Sequence, residues 1–191
     1  MAHKEQEQFC LKVKNKFPNN FSNVKVLDIG SFDCNGNEKH FFEDSDYIGI
    51  DLMPGKNVNI VCAGQDYDAP DETFDTIISC ECFEHNPFYA ETIKNAIRML
   101  KNGGLFLFTC ATTGRPIHGV ASENLLMKDK DPNWKSLPNV LVERNDWDNE
   151  YYKNLTEDDI RSIIDVDDIF LEYQFEVEEN HCDLYFWGIK R

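Results

Sequence analysis

The chain has 191 residues, enough for one domain with a full-sized core, and 41% hydrophobic and 13% aromatic content marks it as globular rather than disordered. A formal net charge of −16 and a pI of about 4.6 repel nucleic-acid phosphates and anionic membranes, so neither is an expected partner. No apolar stretch is long enough to span a membrane, and MAHKEQEQ is not a signal peptide.

Residues 1 to 16 are mostly charged, with Phe9, Val13 and Phe17 as an apolar stripe at helical spacing and Cys10 beside it. This predicts a helix packed on the edge of a sheet and ended by Pro18 and Asn19-Asn20. Val24 to Ile29 is apolar and β-branched, the pattern of a buried parallel strand. A polar turn holding Gly30 and Gly36 follows, and then a predicted helix over Glu38 to Glu43. Strand, turn and helix together make a cradle for a small molecule, with free turn amides and a helix N-terminus at the carboxyl end of the sheet.

The composition of that turn selects the ligand. A dinucleotide fingerprint needs glycine where this chain has Phe32, because the backbone must approach a pyrophosphate closely. Asp28 and Asp33 add carboxylates that a phosphate would have to face. A cation suits the same turn, and S-adenosylmethionine carries a sulfonium and an ammonium but no phosphate. Through Asp28-Ile29-Gly30-Ser31 the sequence resembles the class I S-adenosylmethionine-dependent methyltransferases. Their usual Gly-x-Gly-x-Gly loop is replaced here by Gly30-Ser31-Phe32-Asp33-Cys34-Asn35-Gly36. The resemblance implies that Asp28, Gly30, Ser31, Phe32, Asp33 and Gly36 border the cofactor.

Tyr47 to Asp51 reads as the second strand. Asp51 lies about 20 residues beyond the turn, where a carboxylate accepts the hydroxyls of an adenosine ribose, with Leu52 beside it. Val58 to Cys62 is the predicted third strand. The resemblance places adenine just after it, on Ala63 and Gly64, with Gln65 or Asp66 as side-chain partners. Phe74 to Cys80 is the fourth strand, ending with Cys80 at the cofactor side. Asn86 reads as an N-cap and Pro87 as the first residue of a helix to about Lys101, stopped by Asn102-Gly103-Gly104. Leu105 to Cys110 is the fifth strand. The run from Phe74 to Phe108 resembles the type 11 group of the same methyltransferases.

Thr113 to Asn154 has little periodicity, and a connection this long is usually a lid or a binding loop. Its first residues, Gly114 to Gly119, belong at the carboxyl end of the sheet; the plainer reading is a surface excursion packed by its own aromatics. Thr156 caps a helix to about Ile164, with Asp159 at the capping-box position. Phe170 to Val177 and Leu184 to Ile189 form a closing hairpin. The resemblance implies an α/β, Rossmann-like, doubly wound seven-stranded sheet with its last strand antiparallel. One domain results: helix 1–22, cofactor core 24–112, substrate-side insertion 113–154, and helix with hairpin 155–191.

Methyl transfer from a sulfonium is an in-line displacement, and a base is needed only when the nucleophile must lose a proton. Three side chains are candidates near the methyl. His85 has an unperturbed pKa suited to a general base, Glu84 is beside it, and His118 is on the insertion. Each has a plainer reading as a helix-entry or loop residue, and Arg115 could hold a substrate anion or pair with an acid. The seven cysteines are an odd count without paired C-x-x-C spacing. Cys80, Cys82 and His85 lack a fourth ligand, so no metal is expected. Reduced thiols imply a reducing compartment, here the cytoplasm. The reading is methyl transfer to a small polar metabolite or to a sugar hydroxyl or carboxyl. A catalytically inactive cofactor-binding partner subunit is the alternative, and a nicotinamide oxidoreductase is opposed by Phe32 and Asp33.

Overall fold

A computed structural model describes residues 3–34, 36–119, 141–142 and 151–191. Nine strands among these described residues run in chain order: β1 (Lys25–Ile29), β2 (Asp46–Asp51), β3 (Ile60–Val61), β4 (Phe74–Cys80), β5 (Leu100–Ala111), β6 (Leu141–Val142), β7 (Tyr152–Lys153), β8 (Phe170–Glu178) and β9 (Asp183–Lys190). Seven of them form one sheet in the order β3-β2-β1-β4-β5-β9-β8, and β6 pairs with β7 apart from it. β1 to β5 pair in parallel, whereas β9 runs antiparallel to both β5 and β8. This is the seven-stranded Rossmann-like sheet, closing hairpin included, that the sequence predicts.

Both faces of the sheet are covered, which is why its central strands are mainly apolar. Helix α1 (Lys4–Lys16) places Phe9, Cys10 and Val13 against Val26, Ile78, Leu105, Leu107, Tyr185 and Trp187. It therefore crosses the middle of one face rather than the sheet's edge, where its sequence had placed it. The Phe9 and Tyr185 rings stack at 4.6 Å. Helix α2 (Tyr89–Met99) and the short helices Glu157–Ile163 and Val166–Ile169 cover the other face, over Leu27, Ile29, Ile77, Phe106, Phe108 and Phe186. No helix among the described residues is long and apolar enough to cross a membrane.

Several boundaries differ from expectation. The third strand is only Ile60–Val61, an exposed edge. The helix expected from Glu38 is a single 3-10 turn, Glu38–Phe41, because the backbone of Glu43 bonds instead to Phe21 and Asn23. α2 begins at Tyr89. Asn86 caps the turn before it, accepting from the Phe88 amide at 2.8 Å and donating to Thr92 Oγ1 at 2.9 Å. α2 ends at Met99, where Lys190 Nζ donates to the carbonyls of Ile97 and Leu100. Asn102-Gly103-Gly104 is therefore not the helix stop. It lies in a register shift of β5, which pairs Leu100 with Phe74 and Leu105 with Thr76. Thr156 and Asp159 form the reciprocal capping box. All seven cysteines are free thiols.

Candidate active site

The carboxyl ends of β1, β2 and β4 surround a cavity of about 540 Å³. Asp28, at the end of β1, is 6% exposed. Tyr47 Oη donates to its Oδ2 at 2.7 Å, and Asn57 Nδ2 reaches the same atom at 3.4 Å. Burial, with Glu38 and Asp51 nearby, pushes this carboxyl up to about 7. Gly30 follows with φ +81°, and a β-carbon there would sit 2.6 Å from Cys82, so glycine is required by both backbone and space.

The turn's amides are not free, contrary to the expectation from its sequence. Gly30 and Ser31 both donate to the Ile50 carbonyl, at 2.9 and 3.0 Å. The Phe32 and Met53 amides donate to the two oxygens of Asp51, at 3.1 and 3.0 Å. Ser31 Oγ donates to the Asn57 carbonyl. Asp33 accepts from Gly36 N and Asn37 Nδ2 and pairs with Lys56 at 2.6 Å, so it braces the loop and does not line the cavity. What the turn offers a ligand is carboxylate, not amide.

Leu52, Met53, Cys62, Ala63 and Gly64 form the wall beyond Asp51, and Phe32, Gly36 and Cys80 also border the cavity. Gln65 turns away, its Oε1 accepting from Thr92 Oγ1 at 3.2 Å. Several lining residues escaped the sequence reading, among them Glu81, Gln6 and Glu38. Gln6 of α1 donates to Glu38 Oε1 at 3.0 Å; Glu38 is 6% exposed, and burial raises its carboxyl. Gln6 is in helical phase with Phe9, Cys10 and Val13, and that phase was the available signal.

At the far end, β4 leads into Glu81 and the turn Phe83–His85. Glu81 Oε1 accepts from Thr109 Oγ1 at 2.9 Å, while its Oε2 and both oxygens of Glu84 are buried without a hydrogen-bond partner. Burial, and each acid's charge on its neighbours, raises both carboxyls. Glu84 sits behind the cavity wall, whereas His85 and His118 line it. The His85 ring lies 5.1 Å from that of His118 and 5.3 Å from that of Tyr152. Burial first, then His118, pushes His85 down to about 3, which keeps the imidazole neutral and corrects the ordinary histidine pKa assumed from sequence.

Arg115 is turned inward. It donates to the His181 carbonyl at 2.7 Å and lies 3.5 Å from Asp183 Oδ1, so it pairs with an acid rather than opening to the cavity. No lysine or arginine is among the described residues lining the cavity. The ends of the insertion are joined by Asn154 Nδ2 donating to the Arg115 carbonyl at 2.9 Å. Most of the expected lid, at 120–140 and 143–150, lies outside the described residues.

The sequence matches the family described as methyltransferase domain over residues 1–185. No curated protein sequence matches. Among solved structures, the fold is similar to 1,6-didemethyltoxoflavin-N1-methyltransferase of Burkholderia thailandensis, determined with 1,6-didemethyltoxoflavin and S-adenosylhomocysteine bound. Identity is 14%, with 97% of this chain and 80% of that one covered, at a TM-score of 0.61. It is also similar to phosphoethanolamine N-methyltransferase 2 of Haemonchus contortus, in complex with S-adenosyl-L-methionine, at 16% identity and a TM-score of 0.62. There 96% of this chain matches 52% of that one, so this chain spans about half its length. The N-methyltransferase NodS of Bradyrhizobium japonicum gives 14% identity, 98% and 95% coverage, and a TM-score of 0.57.

Proposed function

Because the chain belongs to the methyltransferase domain family, we propose that it moves a methyl group from S-adenosylmethionine to a small polar metabolite, with a hydroxyl as acceptor. One observation carries the cofactor and substrate reading: a cavity bordered by Asp28, Glu38, Asp51 and Glu81 and by no lysine or arginine among its described lining residues. Such a wall favours a ligand with positive charge and disfavours phosphates. Asp51 would accept the ribose hydroxyls, Leu52, Met53, Ala63 and Gly64 would border the adenine, and Asp28 with Glu38 would face the cationic end. A sugar or other polyol hydroxyl fits this wall better than a carboxyl, which would enter without a cation to meet it.

The cofactor supplies an electrophilic methyl group. Bound by Asp28, Glu38 and Asp51, it would pass that methyl to the acceptor oxygen and leave as S-adenosylhomocysteine, and the hydroxyl proton would go to solvent. The chain's part is to hold donor and acceptor in line. A nitrogen acceptor is the second reading, favoured by the acidic wall, which would attract an amine. Seven free thiols support a reducing, cytoplasmic setting as part of the same proposal.

Calorimetry with S-adenosylhomocysteine and with NAD tests the cofactor. We expect binding of the first and none of the second; the reverse result rejects the proposal. A screen of polyols, phenols and amines with methyl-labelled cofactor then identifies the acceptor.

A further inference from the structure

We propose that Glu84, His85 and His118 bind a divalent first-row transition-metal ion at the substrate end of the cavity, and that this ion holds the acceptor hydroxyl. Ion binding stands on its own geometry; the role given to the ion rests on the methyltransferase reading above.

One oxygen of Glu84 and one ring nitrogen from each histidine lie within 4.8 Å of one another. Glu84 is 0% exposed, and neither of its oxygens has a hydrogen-bond partner. A buried carboxylate left in this state needs a proton or a cation. Three residues earlier, Glu81 presents a second buried oxygen without a partner, so the local deficit of positive charge is larger than one residue. Arg115, a cation among the described residues nearby, is directed to His181 and Asp183 instead. In the adjoining group of His3, Glu81 and Asp183, His3 Nε2 is already engaged, 2.6 Å from Asp183 Oδ2.

His118 is held as a histidine ligand usually is. His118 Nδ1 lies 3.0 Å from the Pro116 carbonyl, which makes Nδ1 the protonated nitrogen and puts the lone pair on Nε2. Tyr152 packs edge-on against both rings, and its hydroxyl donates to the same Pro116 carbonyl at 3.3 Å. A β-carbon on Gly119 would come within 3.0 Å of His85 Cε1, so the chain closes tightly over that ring. Two imidazoles and one carboxylate on one side of an ion suit manganese, iron, cobalt or zinc better than magnesium or calcium. Both histidines border the cavity, so an ion held by them would be open to a ligand from the cavity side.

A hydroxyl bound there becomes more acidic. It releases its proton to solvent, the oxygen lone pair forms the bond to the methyl carbon, and the carbon–sulfur bond breaks with its electrons going to sulfur. No protein side chain has to act as the base.

The test uses the full chain, stripped with a chelator and titrated with MnCl₂ by electron paramagnetic resonance. We expect one Mn²⁺ per chain. Glu84→Gln preserves shape but not charge and should weaken binding at least tenfold. His118→Ala, on a segment outside the sheet, should do the same and covers the case in which the buried variant fails to fold. Absence of Mn²⁺, Co²⁺ and Zn²⁺ binding to the unmodified chain overturns the proposal, as does unchanged Mn²⁺ affinity in both variants. S-adenosylhomocysteine calorimetry on the same samples separates the two readings. Cofactor bound without metal rejects the metal site alone. Metal bound without cofactor rejects the methyltransferase role and leaves the ion site standing.

Discussion

Asp51 is the sharpest place to test the cofactor assignment, because its carboxylate has two separable jobs. Within the protein it accepts the Phe32 and Met53 amides at 3.1 and 3.0 Å. Toward a ligand it borders the cavity, where it would also accept ribose hydroxyls. A hydrogen bond to a charged group contributes about 1.5–3 kcal/mol. At about 1.4 kcal/mol per tenfold, losing one such contact in Asp51→Ala weakens S-adenosylhomocysteine binding by roughly 10- to 150-fold. Losing the turn brace as well could produce the same number, so a double-mutant cycle is needed. The second leg is a 2′,3′-dideoxy analogue of the ligand, measured by calorimetry on both proteins. If Asp51 holds the ribose, the analogue binds weakly to the unmodified chain and loses little more in Asp51→Ala. An equal loss for both ligands would refute the reasoning and leave Asp51 as a brace of the turn.

Three further predictions concern the residues that hold the site in place. Asp28 has its carboxyl raised from 3.8 to about 7, so between those values the folded chain keeps a proton that the unfolded chain has released, and stability falls as pH rises through that window. Subtracting the urea-unfolding profile of Asp28→Asn from that of the unmodified chain should give a negative slope from about pH 4 to 7 and a level line above; a level line throughout contradicts the buried proton. Tyr47→Phe removes the 2.7 Å bond to Asp28 and should cost about 1.5–3 kcal/mol above pH 7 and less below it, read by the same unfolding assay, with a pH-independent loss as the contrary result. Thr156→Ala breaks the capping box and should cost about 1 kcal/mol in urea while cofactor affinity holds; a cofactor loss above threefold would tie that helix to the site.

The sheet was legible because apolar runs such as Val24 to Ile29 and Phe74 to Cys80 have one stable use, as strands buried on both sides. Asp28, Gly30 and Asp51 were legible because strand ends and turn chemistry fix where they point. Contacts across long sequence separations were not legible. Gln6 meets Glu38 only because α1 crosses the face of the sheet, a placement that depends on Tyr185 and Trp187 at the other end of the chain. The predicted helix at Glu38 failed because residues 21–23 compete for the Glu43 backbone, and local propensity does not contain that competition. The neutral His85 likewise reflects burial and a neighbour on another segment.

Over residues 30–34 the turn after β1 has its amides already occupied: Gly30 and Ser31 on Ile50, Phe32 on Asp51, Asp33 on the Lys56 carbonyl and Cys34 on the Phe32 carbonyl. A loop in that condition has little left to order when a ligand arrives, so association forfeits little chain entropy and needs no slow rearrangement. Differences in affinity among variants of this turn should then appear mainly in how fast the ligand leaves. Lys56, 78% exposed and tied to Asp33, is an instructive case. Its removal touches no cavity residue, yet it would return freedom to the loop and shorten the residence time of the cofactor without changing a single contact to it.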